Sequence, residues 1–393
     1  MFSFFRSFAP VIVACDISRS SVKVLAYEYN SKTQILAYLA YQKIPLKTTG
    51  DKLDSFLKAL DVIETVLEAI PEQTGKRVRE VHLSLPNGNL LLEVRDFHFA
   101  RPHPETLVTP EELAELSRKL ESEAEEVLFP EGAPQQTYQL LPPELERFTL
   151  DGYTVLGDIE AKGKELTITA LISAWPEQFA EALRLWTSKF PRLRIQSYPE
   201  AILLRDFVIL CLGGHIGGIV IDIGAEDSTL MLFENGTVDD LWTMPFGAND
   251  ITRAMAKEFQ ISFEDAEVLK RQWSRGELGD PSSQRVARAA ALVVEFWKHE
   301  WGALLEARAE IKIIPAGIYL AGGGSFLPAV VTGLSDSEWF EGFSAGRAAS
   351  VSFLLPRDKE KPLFQSWPAQ ETGTAVLFSL VSRMIQKERY RMN

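Results

Sequence analysis

The segments Asp16-Ile-Ser-Arg-Ser-Ser-Val-Lys23 and Asp222-Ile-Gly-Ala-Glu-Asp-Ser228 decide the fold, together with Leu320-Ala-Gly-Gly-Gly-Ser325. The first two each lie between two apolar, β-rich runs, which predicts that each polar segment is the loop of a β-hairpin. Two similar hairpins so far apart in the chain indicate two similar half-domains. A carboxylate at a strand end, followed by small and hydroxyl residues, suits phosphate binding by backbone N–H groups and Mg²⁺ binding through water. The glycine-rich third segment suits the wall of a site for a nucleotide base.

Length and composition indicate a globular protein of two lobes. The chain has 393 residues, of which 46% are hydrophobic and 24% charged, enough for two cores. The net charge of -13 argues against broad nucleic-acid binding, because contacts with phosphate need clustered Lys and Arg. The two cysteines, Cys15 and Cys211, each lie in an apolar run, which predicts buried side chains and a reducing, cytoplasmic compartment.

The first residues have the spacing of an amphipathic helix. Met1, Phe4, Phe5 and Phe8 follow the pattern i, i+3, i+4, i+7, which places them on one helical face. One interpretation of this pattern is a short membrane-contact segment. The alternative is a frayed terminus whose phenylalanines dock on the protein itself. No apolar stretch in the sequence reaches the ~18 residues that suggest a transmembrane helix, so we expect contact with a membrane surface at most.

Apolar periodicity gives the order of elements along the chain. Three apolar bursts at 11–16, 21–29 and 34–44 predict a three-stranded meander, and residues 217–244 repeat its strand and turn pattern. The sequence Thr109-Pro-Glu-Glu112 predicts a helix start, with Thr at the N-cap, Pro at N1 and Glu at N3. Near the end of the chain, an apolar stripe is predicted to pack in the core rather than on a membrane: Leu377, Phe378, Val381, Met384 and Ile385.

These patterns divide the chain into lobes and an insertion. The predicted division is a candidate membrane-contact segment at 1–10, the lobe 1 core at 11–83 and 165–210, an inserted subdomain at 84–164, the lobe 2 core at 211–246 and 286–366, a small lobe 2 subdomain at 247–285, and a C-terminal helix at 367–393 that returns to lobe 1.

The order of hairpin loop, second hairpin loop and Gly-Gly-Gly turn resembles the actin, sugar kinase and Hsp70 superfamily, over the whole chain. Within it, four segments resemble bacterial FtsA, the cell-division actin homologue, and its relative PilM of type IV pilus assembly: Asp222-Ile-Gly224, Met244-Pro-Phe-Gly-Ala-Asn-Asp-Ile-Thr252, Glu264-Asp-Ala-Glu-Val-Leu-Lys270 and Ile318-Tyr-Leu-Ala-Gly-Gly-Gly324. The resemblance implies a two-lobed actin-like α/β fold. Its half-domains carry duplicated mixed sheets, and lobe 1 carries the inserted SHS2-type subdomain of FtsA and PilM.

The two relatives are each favoured by different segments. The Thr109-Pro-Glu-Glu112 helix start and Phe148-Thr-Leu-Asp-Gly152 resemble the FtsA insertion. The second hairpin loop and Ser84-Leu-Pro86 resemble PilM more closely. FtsA also continues through a flexible linker to an amphipathic membrane helix, and no such linker precedes the C-terminal stripe.

The resemblance implies where a nucleotide binds. Asp16 and Asp222 are implied to hold Mg²⁺ through water, and Lys23 to face phosphate. Glu267 and Lys270 are implied near the ribose and base, although a solvated helix face is the alternative for this pair. The full implied nucleotide-binding set is Asp16, Ser18, Ser20, Ser21, Lys23, Asp222, Gly224, Ala225, Asp227, Ser228, Gly247, Glu267, Lys270, Gly322, Gly323, Gly324 and Ser325.

Two departures from the family pattern weaken the expected phosphate contacts. Ser18 stands where the family prefers glycine, and its Cβ hinders positive φ and close approach to phosphate. Ala225, Glu226 and Asp227 replace the usual small Gly and Thr residues. Added carboxylates repel a triphosphate unless Mg²⁺ or Lys23 compensates them. Hydrolysis also needs an oriented water, for which Gln196, Glu200 and Asp222 are the candidate acceptors, so we expect ATP and Mg²⁺ binding with slow hydrolysis at most.

By resemblance, the leading hypothesis is an FtsA-type, ATP-binding protein at the cytoplasmic face of the inner membrane. It would self-associate into filaments or oligomers and link the membrane to an FtsZ-like tubulin homologue. The alternative is a PilM-like scaffold of type IV pilus assembly that binds a PilN-like inner-membrane peptide in the groove of the insertion. A small-molecule kinase is a third hypothesis, disfavoured because no substrate-binding signature lies between the two loops. No nucleic-acid partner is expected.

Overall fold

The computed structural model describes most of the chain. It covers residues 11–30, 35–47, 50–129, 138–155, 161–213, 216–309, 313–315, 317–335, 338–344, 350–354 and 374–390. The predicted membrane-contact residues Met1, Phe4, Phe5 and Phe8 lie outside this part. Within it, none of the helices combines the length and the apolar character that a membrane crossing requires.

Strands and helices alternate along the chain. The strands are β1 Val11–Ile17, β2 Ser21–Asn30, β3 Ile35–Pro45, β4 Val78–Leu85, β5 Leu91–Ala100, β6 Tyr138–Leu150, β7 Tyr153–Val155, β8 Glu165–Pro176, β9 Arg194–Pro199, β10 Gly218–Ile223, β11 Ser228–Glu234, β12 Thr237–Met244, β13 Gly317–Ala321 and β14 Ser350–Phe353. The α-helices are α1 Lys52–Thr74, α2 Pro110–Leu128, α3 Glu177–Ser188, α4 Glu200–Leu212, α5 Ala248–Phe259, α6 Phe263–Ser274, α7 Asp280–Ala309, α8 Pro328–Ser335, α9 Glu338–Glu341 and α10 Ala375–Tyr390. Two 3-10 turns lie at Asn87–Asn89 and Gly323–Phe326.

Two five-stranded mixed sheets share one topology. Their strand orders are β3-β2-β1-β4-β9 and β12-β11-β10-β13-β14, so each is an antiparallel meander extended by two parallel strands. The central strands β1 and β10 are almost continuously apolar because both faces of each sheet are covered. The predicted pair of similar half-domains with mixed sheets is confirmed.

A third sheet forms the inserted subdomain, with the order β5-β8-β6-β7. Thr109 caps α2 as predicted, since its side chain accepts a hydrogen bond from the Glu112 backbone N–H. The predicted end of the insertion, residue 164, comes before the last strand of this sheet. Strand β8 pairs along its length with β5 and β6, so the sheet extends to Pro176. Periodicity alone does not tell which sheet a strand joins, because that depends on distant pairing.

The C-terminal helix α10 is a core element. Its apolar stripe packs against α4 and the first sheet, in agreement with the prediction, and every member is at most 5% exposed: Leu377, Phe378, Val381, Met384 and Ile385. Burial of side chains of this size stabilises a fold by roughly 1.5–3 kcal/mol each. Helix α10 therefore ties the end of the chain to the first half-domain.

A buried ionic cluster joins the insertion, α4, α10 and the second half-domain. The Arg205 guanidinium donates to Glu146 Oε1 at 2.5 Å and to Asp206 Oδ1 at 2.7 Å. Glu146 Oε2 accepts from the Val238 backbone N–H at 3.2 Å, and Arg383 donates to Asp206 Oδ2 at 2.7 Å. Arg205 is only 8% exposed, so these charges depend on one another for compensation.

Replacing Arg205 with alanine is expected to destabilise the protein by about 3–5 kcal/mol, because the Glu146 carboxylate is left buried and unpaired. Urea denaturation followed by circular dichroism measures the change. The control is Arg184→Ala, which breaks an ion pair with Glu181 on an exposed face and is expected to cost under ~1 kcal/mol. Similar losses in the two variants would contradict a structural role for the cluster.

Candidate functional site

The first hairpin brings Asp16 and Lys23 together. They face each other across the β1/β2 register, and Lys23 Nζ donates to Asp16 Oδ2 at 2.6 Å. Ser84 Oγ, from β4, donates to Asp16 Oδ1 at 3.2 Å. Burial opposes the charged form of Lys23, but the Asp16 carboxylate outweighs it and raises the pKa of Lys23. Lys23 therefore keeps its charge although its side chain is largely enclosed.

The loop of this hairpin is closed by serine hydroxyls. The Ser18 backbone N–H donates to the Ser21 carbonyl at 3.0 Å, and the Ser21 N–H donates to Ser18 Oγ at 3.1 Å. Ser18 does not adopt a positive φ, so the backbone strain expected from its Cβ does not arise. Ser20 supplies its carbonyl to the Leu46 N–H at 2.8 Å. The hydroxyl group of Ser18 thus performs a turn-forming role in place of glycine flexibility.

The second loop packs against the start of α5. The Ala248 N–H donates to the Gly224 carbonyl at 3.0 Å, and the Asn249 N–H donates to the Ala225 carbonyl at 2.8 Å. A Cβ on Gly247 would lie 2.8 Å from the Ala225 backbone, so this position requires glycine for close packing. Ser228 begins β11 and is buried. The loop and the helix therefore form one rigid unit.

The carboxylate of Glu226 is neutralised within this unit. Glu226 accepts a hydrogen bond from Asn249 Nδ2 at 2.8 Å and pairs with the Arg253 guanidinium. Burial acts to raise its pKa, but the hydrogen bonds with Arg253 and Asn249 prevail and lower the pKa of Glu226. One of the two added carboxylates in the loop therefore brings its own compensating cation.

Asp227 instead lies against the first half-domain. A Cβ built on Gly88 would lie 1.9 Å from Asp227 Oδ2, so a side chain at position 88 would displace the Asp227 carboxylate. Burial raises the pKa of Asp227, and the nearby cations Arg19 and Lys52 oppose that shift. Gly88 and Asp227 thus form one of the contacts between the two half-domains.

Asn87 bridges the half-domains beside this contact and was missed by the sequence analysis. Its Nδ2 donates to Thr229 Oγ1 at 3.0 Å, its Oδ1 accepts from the Ala201 N–H at 2.8 Å, and its own N–H donates to Glu200 Oε2 at 3.2 Å. Asn87 is 1% exposed. The only signal in the sequence was an Asn-Gly pair, which indicates a turn but gives no partners.

Negative charge accumulates between the two loops. Burial raises the pKa of Asp222 to about 7; Lys23 opposes this shift, and the Asp16 and Asp227 carboxylates add to it. The pKa of Glu200 lies well above its ordinary value, first because of burial and then because of the neighbouring Asp222, Asp16 and Asp227. Of the three candidate water-orienting residues, Glu200 and Asp222 belong to this cluster, whereas Gln196 accepts a hydrogen bond from the Tyr198 hydroxyl at 2.9 Å.

The cluster has the chemistry of a divalent-cation site that uses water or phosphate as further ligands. Asp227 Oδ2 is buried and has no hydrogen-bond partner among the described residues. In the same part of the chain, no three His, Cys, Asp or Glu side chains converge as direct metal ligands. Mg²⁺ commonly binds through one or two carboxylates and keeps several waters. The residues present therefore fit Mg²⁺ held with a phosphate group better than an all-protein cage.

The Gly-Gly-Gly turn follows β13, which is parallel to β10. Gly322 has a φ of +80°, and a Cβ there would lie 2.4 Å from Asp222 Oδ1. A Cβ on Gly324 would lie 2.5 Å from Ile223, whereas one on Gly323 would meet nothing within 4 Å. Ser325 Oγ donates to the Gly322 carbonyl at 2.8 Å. Gly322 and Gly324 thus pack against the second loop, and Gly323 faces open space.

Glu267 and Lys270 join α5 to α6 near this turn. Lys270 Nζ lies 2.7 Å from Glu267 Oε2, 2.7 Å from Thr252 Oγ1 and 3.2 Å from the Ala248 carbonyl. Burial lowers the pKa of Lys270, and its ion pair with Glu267 opposes this. Lys270 is only 6% exposed, so the alternative of a solvated helix face is wrong for it.

Comparison with known proteins gives matches of two kinds. Residues 219–325 match the family model described as cell division protein FtsA. The cell division protein FtsA of Bacillus subtilis (strain 168) is 25% identical over 136 residues, which are 30% of this chain and 31% of that relative. The match thus spans less than a third of the relative's length. A solved structure of the PilM-PilN type IV pilus biogenesis complex aligns with a TM-score of 0.64 and 19% identity, covering 95% of this chain and 98% of that one.

These matches confirm the actin-like fold and support the resemblance to the FtsA/PilM branch of the actin-like ATPases. The local sequence match to FtsA contains the second hairpin loop, α5, α6 and the glycine-rich turn. The structural match to PilM extends over nearly the whole chain.

The Asp222→Asn variant is expected to alter the pH dependence of stability. The pKa of Asp222 is raised from 3.8 to about 7 in the folded protein. The contribution of Asp222 to the free energy of unfolding is therefore full below pH ~4 and is lost as the pH rises through 7. Asparagine does not ionise, so the variant should gain at least about 1 kcal/mol relative to the wild type between pH 5 and pH 8. Urea denaturation at both pH values measures this difference.

The matched control for that experiment is Glu115→Gln, which removes an exposed carboxylate from α2. Its stability relative to the wild type should change little between the two pH values. An Asp222→Asn variant that behaves in the same way would contradict the assignment of a buried, protonatable carboxyl at position 222.

Proposed function

We propose that this chain is an actin-like scaffold of the FtsA/PilM branch that binds ATP with Mg²⁺ between its half-domains. The observation that carries the proposal is the excess of buried carboxylates between the two hairpin loops, with Lys23 as the ammonium group bonded among them. Such an arrangement is costly without a cation, because buried charges need compensation. Mg²⁺ supplies that compensation and also binds phosphate oxygens.

The residues assigned to the ligand are those of the two loops and the turn. Asp16 and Asp222 would hold Mg²⁺ through water, and Lys23 would share its ammonium group between Asp16 and phosphate. The bound cation neutralises phosphate charge. Gly323 is the position at the turn with open space for a nucleoside. Ser18 and Asp227 replace smaller or neutral family residues, which is consistent with weaker phosphate contact than in an efficient ATPase.

The proposed mechanism is conformational rather than catalytic. Gly88 contacts the second loop at Asp227 and Asn87 contacts the adjoining start of β11, so a ligand between the loops would change the contact that joins the half-domains. Closure of the half-domains around the ligand would align the surfaces used in self-association. The ligand would do so by shifting the population from an open to a closed arrangement of the half-domains. Hydrolysis, with Glu200 or Asp222 as a water acceptor, would be slow.

The leading cellular role is the FtsA-type one. In it, the protein assembles at the cytoplasmic face of the inner membrane, with Met1, Phe4, Phe5 and Phe8 as membrane contacts, and binds an FtsZ-like protein. The FtsA family match over 219–325 supports this role.

The alternative role is that of a PilM-like scaffold that binds an inner-membrane peptide. This role is supported by the structural alignment with the PilM-PilN complex, which covers 95% of this chain. Because α10 is buried in the core, it does not serve as a membrane-binding tail, and the FtsA-type role therefore assigns membrane contact to the first residues instead.

Nucleotide binding is tested by titrating a fluorescent ATP analogue with Mg²⁺. Lys23→Ala is expected to weaken binding at least tenfold, since a charge-assisted hydrogen bond contributes about 1.5–3 kcal/mol. Lys23→Arg retains the charge and should lose less affinity. The control is Lys58→Ala, which removes a half-exposed lysine of α1 and should bind as the wild type. Absence of saturable binding by the wild type would overturn the proposal.

The two cellular roles are separated by partner binding. With Mg²⁺-ATP and anionic liposomes, the FtsA-type role predicts that the protein sediments with lipid and retains an FtsZ-like protein. Deletion of residues 1–8 should then abolish lipid binding without changing nucleotide affinity. The alternative role is supported instead if the protein binds neither lipid nor an FtsZ-like protein but binds a PilN-like peptide.

A further inference from the structure

A pocket of about 240 Å³ lies between helix α1 and the first sheet. Side chains of β2 and β3 form its floor. One side of α1 forms its wall, where the lining residues Val62, Val66 and Ala69 recur with helical spacing. None of its described lining residues belongs to the two hairpin loops or to the glycine-rich turn, so the pocket is separate from the candidate nucleotide site.

The pocket exists because small side chains meet there. Ala26 of β2 lies opposite Ala40 of β3 in the strand register, and Ala69 of α1 lines the same space. Protein interiors are normally packed with few voids larger than a water molecule. Three alanines from neighbouring elements therefore leave a space that larger side chains would otherwise fill.

The chemistry of the pocket suits an apolar side chain. Apart from Gln42, Thr65 and Gln73, its described lining is aliphatic. These three polar residues are exposed, which places them at the mouth, whereas Val24 and Ile70 are at most 3% exposed and lie deeper. An aromatic ring that entered the pocket would bury apolar surface without leaving a charge unpaired.

The start of β1 lies close to this pocket. Val13 pairs with Ala26, which pairs in turn with Ala40, so the pocket floor is level with the third residue of β1. Strands lie about 4.8 Å apart and rise about 3.3 Å per residue, which places Val11 roughly 12 Å from Ala40. Val11 and Val13 also belong to the core cluster that α1 covers, so they face the same side of the sheet as the pocket.

A segment with several phenylalanines is attached at this point. Residues 1–10 directly precede Val11 and lie outside the described part of the chain. They include Phe4, Phe5 and Phe8. The seven positions from Phe4 to Val11 span about 10 Å as a helix and about 23 Å when extended, and the side chain adds further reach. The segment is therefore long enough to bring a ring to the pocket in either conformation.

We infer that the phenylalanines of residues 1–8 pack into the pocket between α1 and the first sheet when no membrane is present. The covalent link through β1 keeps the segment at a high effective concentration beside the pocket, so a modest contact is enough to hold it. The docking depends neither on nucleotide nor on which cellular role the protein has.

Docking would compete with membrane contact, a consequence that rests on the proposed FtsA-type role. The spacing of Met1, Phe4, Phe5 and Phe8 places them on one helical face. The same side chains cannot fill the pocket and enter a bilayer at the same time. The pocket thus shields these side chains in solution, and a membrane surface releases them.

Photo-cross-linking tests the docking directly. The full-length protein carries the substitution Phe5→p-benzoylphenylalanine, and mass spectrometry locates the cross-link after irradiation. The expected partners are residues 62–73 of α1 and residues 40–44 of β3. Cross-links confined to other parts of the chain would overturn the inference.

Filling the pocket gives a second measurement. Ala69→Phe places a ring in the pocket and should displace the segment, so that trypsin cleaves after Arg6 at least tenfold faster than in the wild type. The double variant Phe4→Ser/Phe5→Ser leaves every described residue unchanged and should give a similar acceleration. The control is Ala114→Phe, which adds a ring to an exposed position of α2 and should change the cleavage rate less than twofold. Wild-type cleavage rates in both test variants would contradict the docking.

Vesicles of phosphatidylglycerol and phosphatidylethanolamine separate this inference from the proposed role. If both hold, the vesicles should abolish the cross-link, and Ala69→Phe should raise the vesicle-bound fraction at least threefold. A protein that cross-links in the pocket but does not bind vesicles supports the docking and contradicts the membrane contact alone. A protein that binds vesicles equally well with and without Ala69→Phe, and forms no cross-link in the pocket, contradicts the docking alone.

Discussion

Buried negative charge between the two half-domains is the constraint on which the site depends. Asp16 and Asp222 are the penultimate residues of the equivalent central strands β1 and β10, and they lie close enough for the Asp16 carboxylate to raise the pKa of Asp222. Glu200 and Asp227 add further carboxylates, while Lys23 is bonded to Asp16. Burial favours the neutral form of a carboxyl group. In the protein without a bound cation, this burial raises the pKa values of Asp222 and Glu200.

Two further polar contacts hold the architecture around this charge. The Arg205 cluster connects the inserted subdomain to α4 and α10, and Glu146 continues it to the backbone of β12. Asn87 connects β4 to the start of β11 and to α4. Hydrogen bonds are directional, so buried polar contacts of this kind favour one relative orientation of the elements that they join.

Features formed by residues close together in the chain were predictable from the sequence, whereas contacts between distant residues were not. The two hairpin loops, the Thr109 cap and the burial of the α10 stripe each follow from residues that are neighbours in the chain. Asn87 and Thr229 are 142 positions apart, and their contact has no local signal. Similarly, the sequence alone presents Glu226 as an unfavourable charge in the loop, because its ion pair with Arg253 of α5 is visible only in the structure. The predicted end of the insertion at residue 164 falls just before β8 for the same reason, because the pairing of β8 with β5 and β6 has no local signal.

The 3-10 turn at Asn87–Asn89 precedes β5 by a single residue, and the second loop leads into β11, which pairs with β12. Strands β5 and β12 are therefore each continuous with one side of the contact made by Asn87 and Gly88 with Thr229 and Asp227. A ligand that shifted this contact would also shift the two strands relative to each other. Thermodynamic linkage would then make the effect reciprocal, because a partner that bound the strands would alter ligand affinity at the loops by the same factor.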